Sequence, residues 1–330
     1  MSRGFDVYGL GNALVDIQYD IEPAWLQKME IAKGVMTLVD EAQQQALIDA
    51  IDRPPRRQSS GGSAANSMIA AAVLGGSAYY ACLVGRDDLG TFYLNDLEAA
   101  GVACNRDNRA AGTTGRCLVL ITPDADRTMN TFLGITANFG AAQVEEEVIA
   151  ASAYVYIEGY LLSSALGFEA ALAAQRQARA HDARVALTLS DPFIAGTFKQ
   201  RVGTLLTGGV DLLFCNDVEA RVWTGEETLD AALEVLAGQV PQFAVTCGAD
   251  GARVRDGERL HRVPGFKVKA IDTNGAGDAF AGAFLYGITH GHDAVRAGRL
   301  ANLAASRVVA RYGPRLEGFS DEDVQRVLQG

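Results

Sequence analysis

The chain is poor in the features that would send it outside the cell or across a membrane. Eight prolines in 330 residues leave no Pro-rich linker, and no uninterrupted apolar run approaches 20 residues. A bilayer-spanning helix is therefore not expected. Residues 1–6, Met-Ser-Arg-Gly-Phe-Asp, form no apolar signal segment. The five cysteines (Cys82, Cys104, Cys117, Cys215, Cys247) are odd in number, scattered and without a CxxC pair. Several lie in apolar runs, where a free cysteine behaves as a small core residue. The protein reads as cytoplasmic and reduced.

Positive charge is also short. The 29 Lys and Arg against 40 Asp and Glu give a net charge of −11, with no basic run. Such a surface repels nucleic-acid phosphates, so no nucleic-acid partner is expected. ATP remains compatible, because backbone amides and a metal handle phosphate locally. There is no internal repeat, low-complexity tract or long charge run. His290 and His292 flank one glycine without a third ligand, and read as surface residues at a helix end.

What the chain does have is 36 glycines, 48% hydrophobic residues and 21% charged ones. That composition suits a buried core and tight loops. Short apolar runs at 5–10, 78–84, 153–157, 185–189, 212–215 and 243–246 read as strands. Helical patterns such as 64–74 and 166–180 lie between most of them. This alternation predicts an α/β fold, a mostly parallel sheet with helices on both faces. Other segments differ. Residues 15–21 alternate apolar and polar, as do 114–122 and 127–133 around the turn at 122–126. They predict strands with one wet face, the latter pair a β-hairpin. One domain over 1–330 is expected, with a small β lid from insertions at about 13–40 and 110–135 and the remainder an α/β core.

Four glycine-rich or polar segments carry chemistry. In Asp272-Thr273-Asn274-Gly275-Ala276-Gly277-Asp278, the glycines precede a helix, so N–H groups converge where the helix dipole is positive. Asp278 is placed to take the proton of an attacking hydroxyl; alone, it is equally a helix-start acid. In Gly61-Gly62-Ser63-Ala64-Ala65-Asn66, two glycines permit close approach of a ligand, and Asn66 offers a donor and an acceptor. The plain alternative is that Ser63 caps the helix. In Gly9-Leu10-Gly11-Asn12-Ala13-Leu14-Val15-Asp16, a dinucleotide fingerprint fails because Leu14 stands at its third glycine. Asn12 and Asp16 instead become candidates for holding two hydroxyls. Asn216-Asp217-Val218-Glu219 follows a strand and suits water-mediated Mg²⁺, with helix capping as the alternative. Thr246-Cys247-Gly248-Ala249-Asp250-Gly251 is either a phosphate wrap or an ordinary hairpin turn.

Together these segments resemble the ribokinase-like (PfkB) family of carbohydrate and nucleoside kinases over nearly the whole chain. Residues 272–278 and 61–76 look like its two signatures, and 216–219 like its NxxE element. Within that family, Gly11 to Ile17, the Glu158-Gly159-Tyr160-Leu161-Leu162 run and the Leu189-Ser190-Asp191-Pro192-Phe193 run are most similar to adenosine kinases. Asp191, where an Ala is common in animal members, and Ala64-Ala65 depart from them and leave base specificity open.

The resemblance implies ATP-dependent phosphorylation of a sugar hydroxyl, the 5′-OH of a nucleoside such as adenosine. Asp278 would be the base, with the amides of Gly275, Ala276 and Gly277 around the transferring group. Asn12, Asp16, Gly61, Gly62 and Asn66 would hold the ribose, and Tyr160 the base or its pocket wall. Asn216, Glu219, Thr246, Gly248, Gly251 and Asn302 would serve ATP, with Mg²⁺ reached from Glu219 through water. The loop at Asp272 and Thr273 is similar to the family's monovalent-cation region, which leaves a K⁺ requirement open. Rival readings are a kinase of a free sugar or sugar acid, with Arg116 and Arg127 as candidate anion partners, and a ligand-binding regulator on a kinase scaffold. Phe132 and Phe193 join Tyr160 as candidate aromatic walls. Monomer and homodimer both remain open.

Overall fold

The computed structural model describes residues 4–124 and 126–329. Residues 1–3 of the N-terminal segment and Ala125 of the expected turn lie outside the described residues. The main sheet has nine strands, in the order Arg259–Val263, Ala252–Asp256, Gln242–Thr246, Leu212–Asn216, Arg184–Thr188, Ser152–Ile157, Phe5–Leu10, Ala78–Ala81, Val102–Ala103. Pairing is parallel from Gln242–Thr246 to Val102–Ala103, and antiparallel only at the first two strands.

Successive side chains of a strand point to opposite faces, and here each face meets its own core. Val7, Leu212 and Phe214 pack with the helices Ser63–Val73, Ala276–Thr289 and Ala294–Val309. Tyr8, Leu213 and Cys215 pack with Ala165–Ala180, Lys199–Gly209 and Leu229–Ala237. Continuous apolar strands are what a doubly covered sheet requires. Thus the expected α/β architecture is the one observed, and its parallel strands place Asn12, Glu158, Asn216 and Thr246 at one edge. That is the edge where ligands of such sheets bind.

A second sheet has the order Met36–Leu38, Arg127–Phe132, Gly115–Ile121, Leu14–Asp20, Arg57–Gly61. The hairpin of Gly115–Ile121 and Arg127–Phe132 forms as expected. Two differences from the sequence expectation stand out. Residues 57–61 join this sheet from outside the expected insertions. Nor do its central strands have a wet face: every residue of Val15–Tyr19 and Gly115–Ile121 is buried. Val15, Ile17 and Tyr19 enter the main core. On the other face lie Asp16 and, on the neighbouring strand, Cys117, Val119 and Ile121. Asp16, one of the polar positions that mimicked solvent exposure, is turned inward toward Arg315 and Arg127. A short pair, Val84–Gly85 with Arg109–Ala110, completes the strands named here. No helix among the described residues is long and apolar enough to cross a membrane.

Candidate active site

The site is built on two helix starts. The helix Ser63–Val73 opens at Gly62, whose φ of 101° favours glycine. A Cβ there would stand 2.1 Å from the Asn12 carbonyl oxygen, and one at Gly61 about 2.5 Å from the Asp16 carboxylate. The glycines are what let the strand carrying Asp16 close on this helix. The helix Ala276–Thr289 opens at Gly275, φ 75°, where a Cβ would meet the Pro314 carbonyl at 2.2 Å. Gly277, one turn position on, has nothing within 4 Å of where a Cβ would be. One glycine is packed from behind and the other is open in front.

Asp278 lies in the first turn of the second helix and joins it to the first. The Ser63 hydroxyl donates to its Oδ1 at 2.7 Å, and Asn66 Nδ2 to its Oδ2 at 3.1 Å. Ser63 is therefore not the cap the local pattern allowed; no side chain caps its helix. Nor is Asp278 a plain helix-start acid, since its carboxylate is held by the other helix. It is crowded by protein yet borders the cleft. Burial pushes its pKa up to about 6, against the lowering effect of the two hydrogen bonds.

At the same edge Glu158, 1% exposed, gathers three donors. Its Oε1 accepts from the Asn12 amide (3.2 Å) and Nδ2 (3.0 Å), and its Oε2 from the Ala64 amide (2.9 Å). Burial raises its pKa to about 7. Asp16 is also raised to about 7, chiefly by burial, with Arg315 and Arg127 opposing. Asn66 Oδ1 is buried and accepts no hydrogen bond. An unmade bond of this kind is costly, and a ligand hydroxyl fits it. Tyr160, in the single turn Gly159–Ser163, is half-buried against the apolar core. Burial raises its hydroxyl pKa.

A cleft brings Ser63, Gly277 and Asp278 together with Asn216, Glu219 and Thr246. Asn216 does cap the helix Asp217–Thr224: its Oδ1 accepts from the Glu219 amide at 2.8 Å. In return Glu219 accepts from the Asn216 amide (3.1 Å) and Nδ2 (2.6 Å). Burial first, then Asp191, Asp217 and Asp278, raises the Glu219 pKa to about 7. Capping and cleft lining are therefore both realised. Residues 246–251 form the turn of an antiparallel hairpin. Gly248 is unencumbered there, whereas Gly251 is pressed on the Val263 carbonyl. Asn302 is not among the residues that line this cleft. It is buried, and its amide donates to the Val263 and Pro264 carbonyls, both at 3.1 Å. Its donors are committed to holding the end of a strand.

The aromatic and cationic candidates separate. Phe193 is 62% exposed and meets Phe198 edge to face. Arg116 lies over Phe132, 5.9 Å from the ring centroid. Arg127 is paired with Asp272 at 2.5 Å, both nearly sealed from solvent. Arg127 is therefore not a free anion partner in this arrangement. Sequence reasoning gave no role to the supporting carboxylate Glu158, whose signals were an acid at the end of an apolar strand and its place in the run similar to adenosine kinases. It also missed Arg315, which bonds Ser60 and, at 2.5 Å, Asp96. Among the described residues no group of three or more His, Cys, Asp or Glu could hold a metal.

Comparison with known proteins agrees with this layout. Residues 45–319 match the model of the pfkB family carbohydrate kinases. The crystal structure of adenosine kinase from Sinorhizobium meliloti is 36% identical. It covers 94% of this chain and 95% of that one, with a TM-score of 0.87. A probable sugar kinase from Rhizobium etli CFN 42 is 34% identical over 100% of this chain and 98% of that one, TM-score 0.90. Adenosine kinase of Saccharomyces cerevisiae is 28% identical over 326 residues, 92% of this chain and 95% of the relative. With the family match covering most of its length, the chain belongs to the pfkB family of carbohydrate kinases and is an ATP-dependent kinase that phosphorylates a hydroxyl group.

Proposed function

We propose that the acceptor is the 5′-hydroxyl of adenosine and the product AMP. The observation that carries this reading is Asp278, a cleft carboxylate held by Ser63 and Asn66 at the junction of two helix starts. The 36% identity to a protein named adenosine kinase supports the choice of acceptor.

In the proposed step the acceptor oxygen bonds to the γ-phosphorus as the bond to the β-γ bridging oxygen breaks. ADP leaves, and the hydroxyl proton passes to an Asp278 oxygen. With a pKa of about 6 the carboxylate is mostly ionised at neutral pH and still a competent acceptor. The amides of Gly275, Ala276 and Gly277 face developing negative charge at a helix N-terminus, and the open side of Gly277 leaves room for it. Asn12, Asp16, Gly61, Gly62 and Asn66 hold the ribose, and Tyr160 borders the base. Asn216, Glu219, Thr246, Gly248 and Gly251 form the nucleotide side. Positioning supplies most of the rate.

Glu219 lines the cleft with both oxygens already accepting from Asn216, so it would reach Mg²⁺ only through water, as this ion's retained waters allow. When bound it would screen phosphate charge. The second sheet, which carries Asp16, serves as the lid that limits access of water.

A free sugar is the second reading, favoured by the 34% identity to a probable sugar kinase. ATP consumption measured with adenosine, inosine, guanosine, ribose and fructose decides between them. Turnover on adenosine is expected; turnover on a sugar and on no nucleoside would displace the proposal.

A further inference from the structure

The family resemblance implies a monovalent-cation region at Asp272 and Thr273, but the residues here do not fit one. Asp272 already has partners at both oxygens. Its Oδ1 accepts from the Asn274 amide at 3.1 Å, and its Oδ2 from the Gly313 amide at 2.8 Å. The guanidinium of Arg127 stands 2.5 Å from Oδ2, with side-chain exposures of 7% for Arg127 and 3% for Asp272. The neighbouring Val309 carbonyl accepts from the amides of Ile271 (2.8 Å) and Asp272 (3.1 Å). An added cation would have to enter against a buried positive charge and displace existing bonds.

The pair also has a mechanical setting. Asp272 clamps two segments, the one leading into Gly275–Gly277 and the one at Gly313, and Pro314 packs behind Gly275. No nitrogen of the Arg127 guanidinium meets hydrogen-bond geometry, so its contribution is one of charge. Asp16 attracts it and Arg56 opposes it. Arg127 belongs to the second sheet, so the cation for the phosphate-facing loop arrives on the proposed lid.

We propose that Arg127 is a resident cation: it neutralises Asp272, positions the loop running to Gly275–Gly277, and makes phosphoryl transfer independent of added monovalent cations. This rests on the kinase reading of that loop, and not on the identity of the acceptor.

The test compares KCl with tetramethylammonium chloride at equal ionic strength. Wild-type turnover, on whichever acceptor the panel identifies, is expected to be the same in both salts. The melting temperature of the substrate-free protein should also be the same, because a K⁺ site would raise it by mass action. Arg127→Gln strands a buried carboxylate and should lower kcat by about tenfold or more; K⁺ or guanidinium should restore part of the loss. Arg127→Lys, which keeps the charge, should retain most activity. K⁺ activation or K⁺ stabilisation of the wild type would overturn the proposal, as would wild-type kcat in Arg127→Gln. If that variant does not fold, the two wild-type comparisons decide. Melting needs no acceptor, so failure on adenosine would refute the substrate reading alone.

Discussion

Ser63 and Asp278, 215 residues apart in sequence, share a 2.7 Å hydrogen bond between the first turns of two different helices. Both helices present their N-terminal ends to one point, so two positive dipole ends serve the same anion. The proposed base and the amides proposed to face the phosphate are thereby brought to one corner.

Replacing the base should separate binding from chemistry. Asp278→Asn keeps the shape of the side chain but only one acceptor oxygen; its NH2 can face the Ser63 hydroxyl, which also accepts, and kcat should fall about 10² to 10⁴-fold. Isothermal titration with the nucleoside should still show binding. Near-normal turnover would remove Asp278 from the mechanism.

The acid limb of kcat/KM should lie near pH 6, because the carboxylate must be ionised and burial holds its pKa at about 6. Ser63→Ala deletes a hydrogen bond that stabilises the anion, so the limb should move to higher pH. A limb that stays in place in the pH–rate profile of this variant would contradict the assignment.

The glycines make a paired test. Gly275→Ala forces a Cβ onto the Pro314 carbonyl at positive φ, and the melting temperature should drop. Gly277→Ala meets nothing, so the fold should be as stable or slightly more so. Its methyl instead occupies the approach to the amides, and kcat/KM for ATP should fall. Equal loss of stability in both would show that the open side of Gly277 has been misread.

Glu158→Gln turns one acceptor oxygen into a donor facing the amides of Asn12 or Ala64. Leaving such a group unpaired costs about 1–3 kcal/mol, so melting should shift downward. The KM of the acceptor substrate should rise about tenfold through displacement of Asn12. Unchanged steady-state constants would leave Glu158 without a role at the sugar end.

The ligand-free protein should be more stable on the acid side of neutrality. Asp16, Glu158, Glu219 and Asp278 have folded pKa values of about 6 to 7. The unfolded chain releases those protons near pH 4, so between about pH 4 and 7 the native state binds more of them and stability falls as pH rises. The carboxylates with lowered values, such as Asp87, Asp96 and Glu317, act with the opposite sign in a window below that one. Urea unfolding at about pH 5 and 8 measures the difference; greater stability at the higher pH would reverse the argument.

Much of this was legible because it is local. Apolar strands between helical patterns announce a doubly covered sheet, and Gly275, Gly277 and Asp278 announce a helix start. What stayed hidden depends on distant partners. Nothing near Ser63 shows that its hydroxyl serves Asp278 instead of its own helix. Arg127 looks like one more strand arginine until Asp272 meets it. The polar rhythm of Asp16 and Gln18 means solvent on most sheets; here those residues lie buried in the second sheet. Asn302 rests on likeness alone; its own surroundings show an amide that donates to the Val263 and Pro264 carbonyls.

The segment 311–317 lies behind the phosphate-facing loop, through Gly313 on Asp272, Pro314 on Gly275 and Arg315 on Ser60. Every proposed site residue precedes it in the chain. During synthesis the emerging polypeptide therefore carries all its chemical groups before it has the support that aligns them. A nascent enzyme stalled short of this strap would be complete in its reactive parts and inactive.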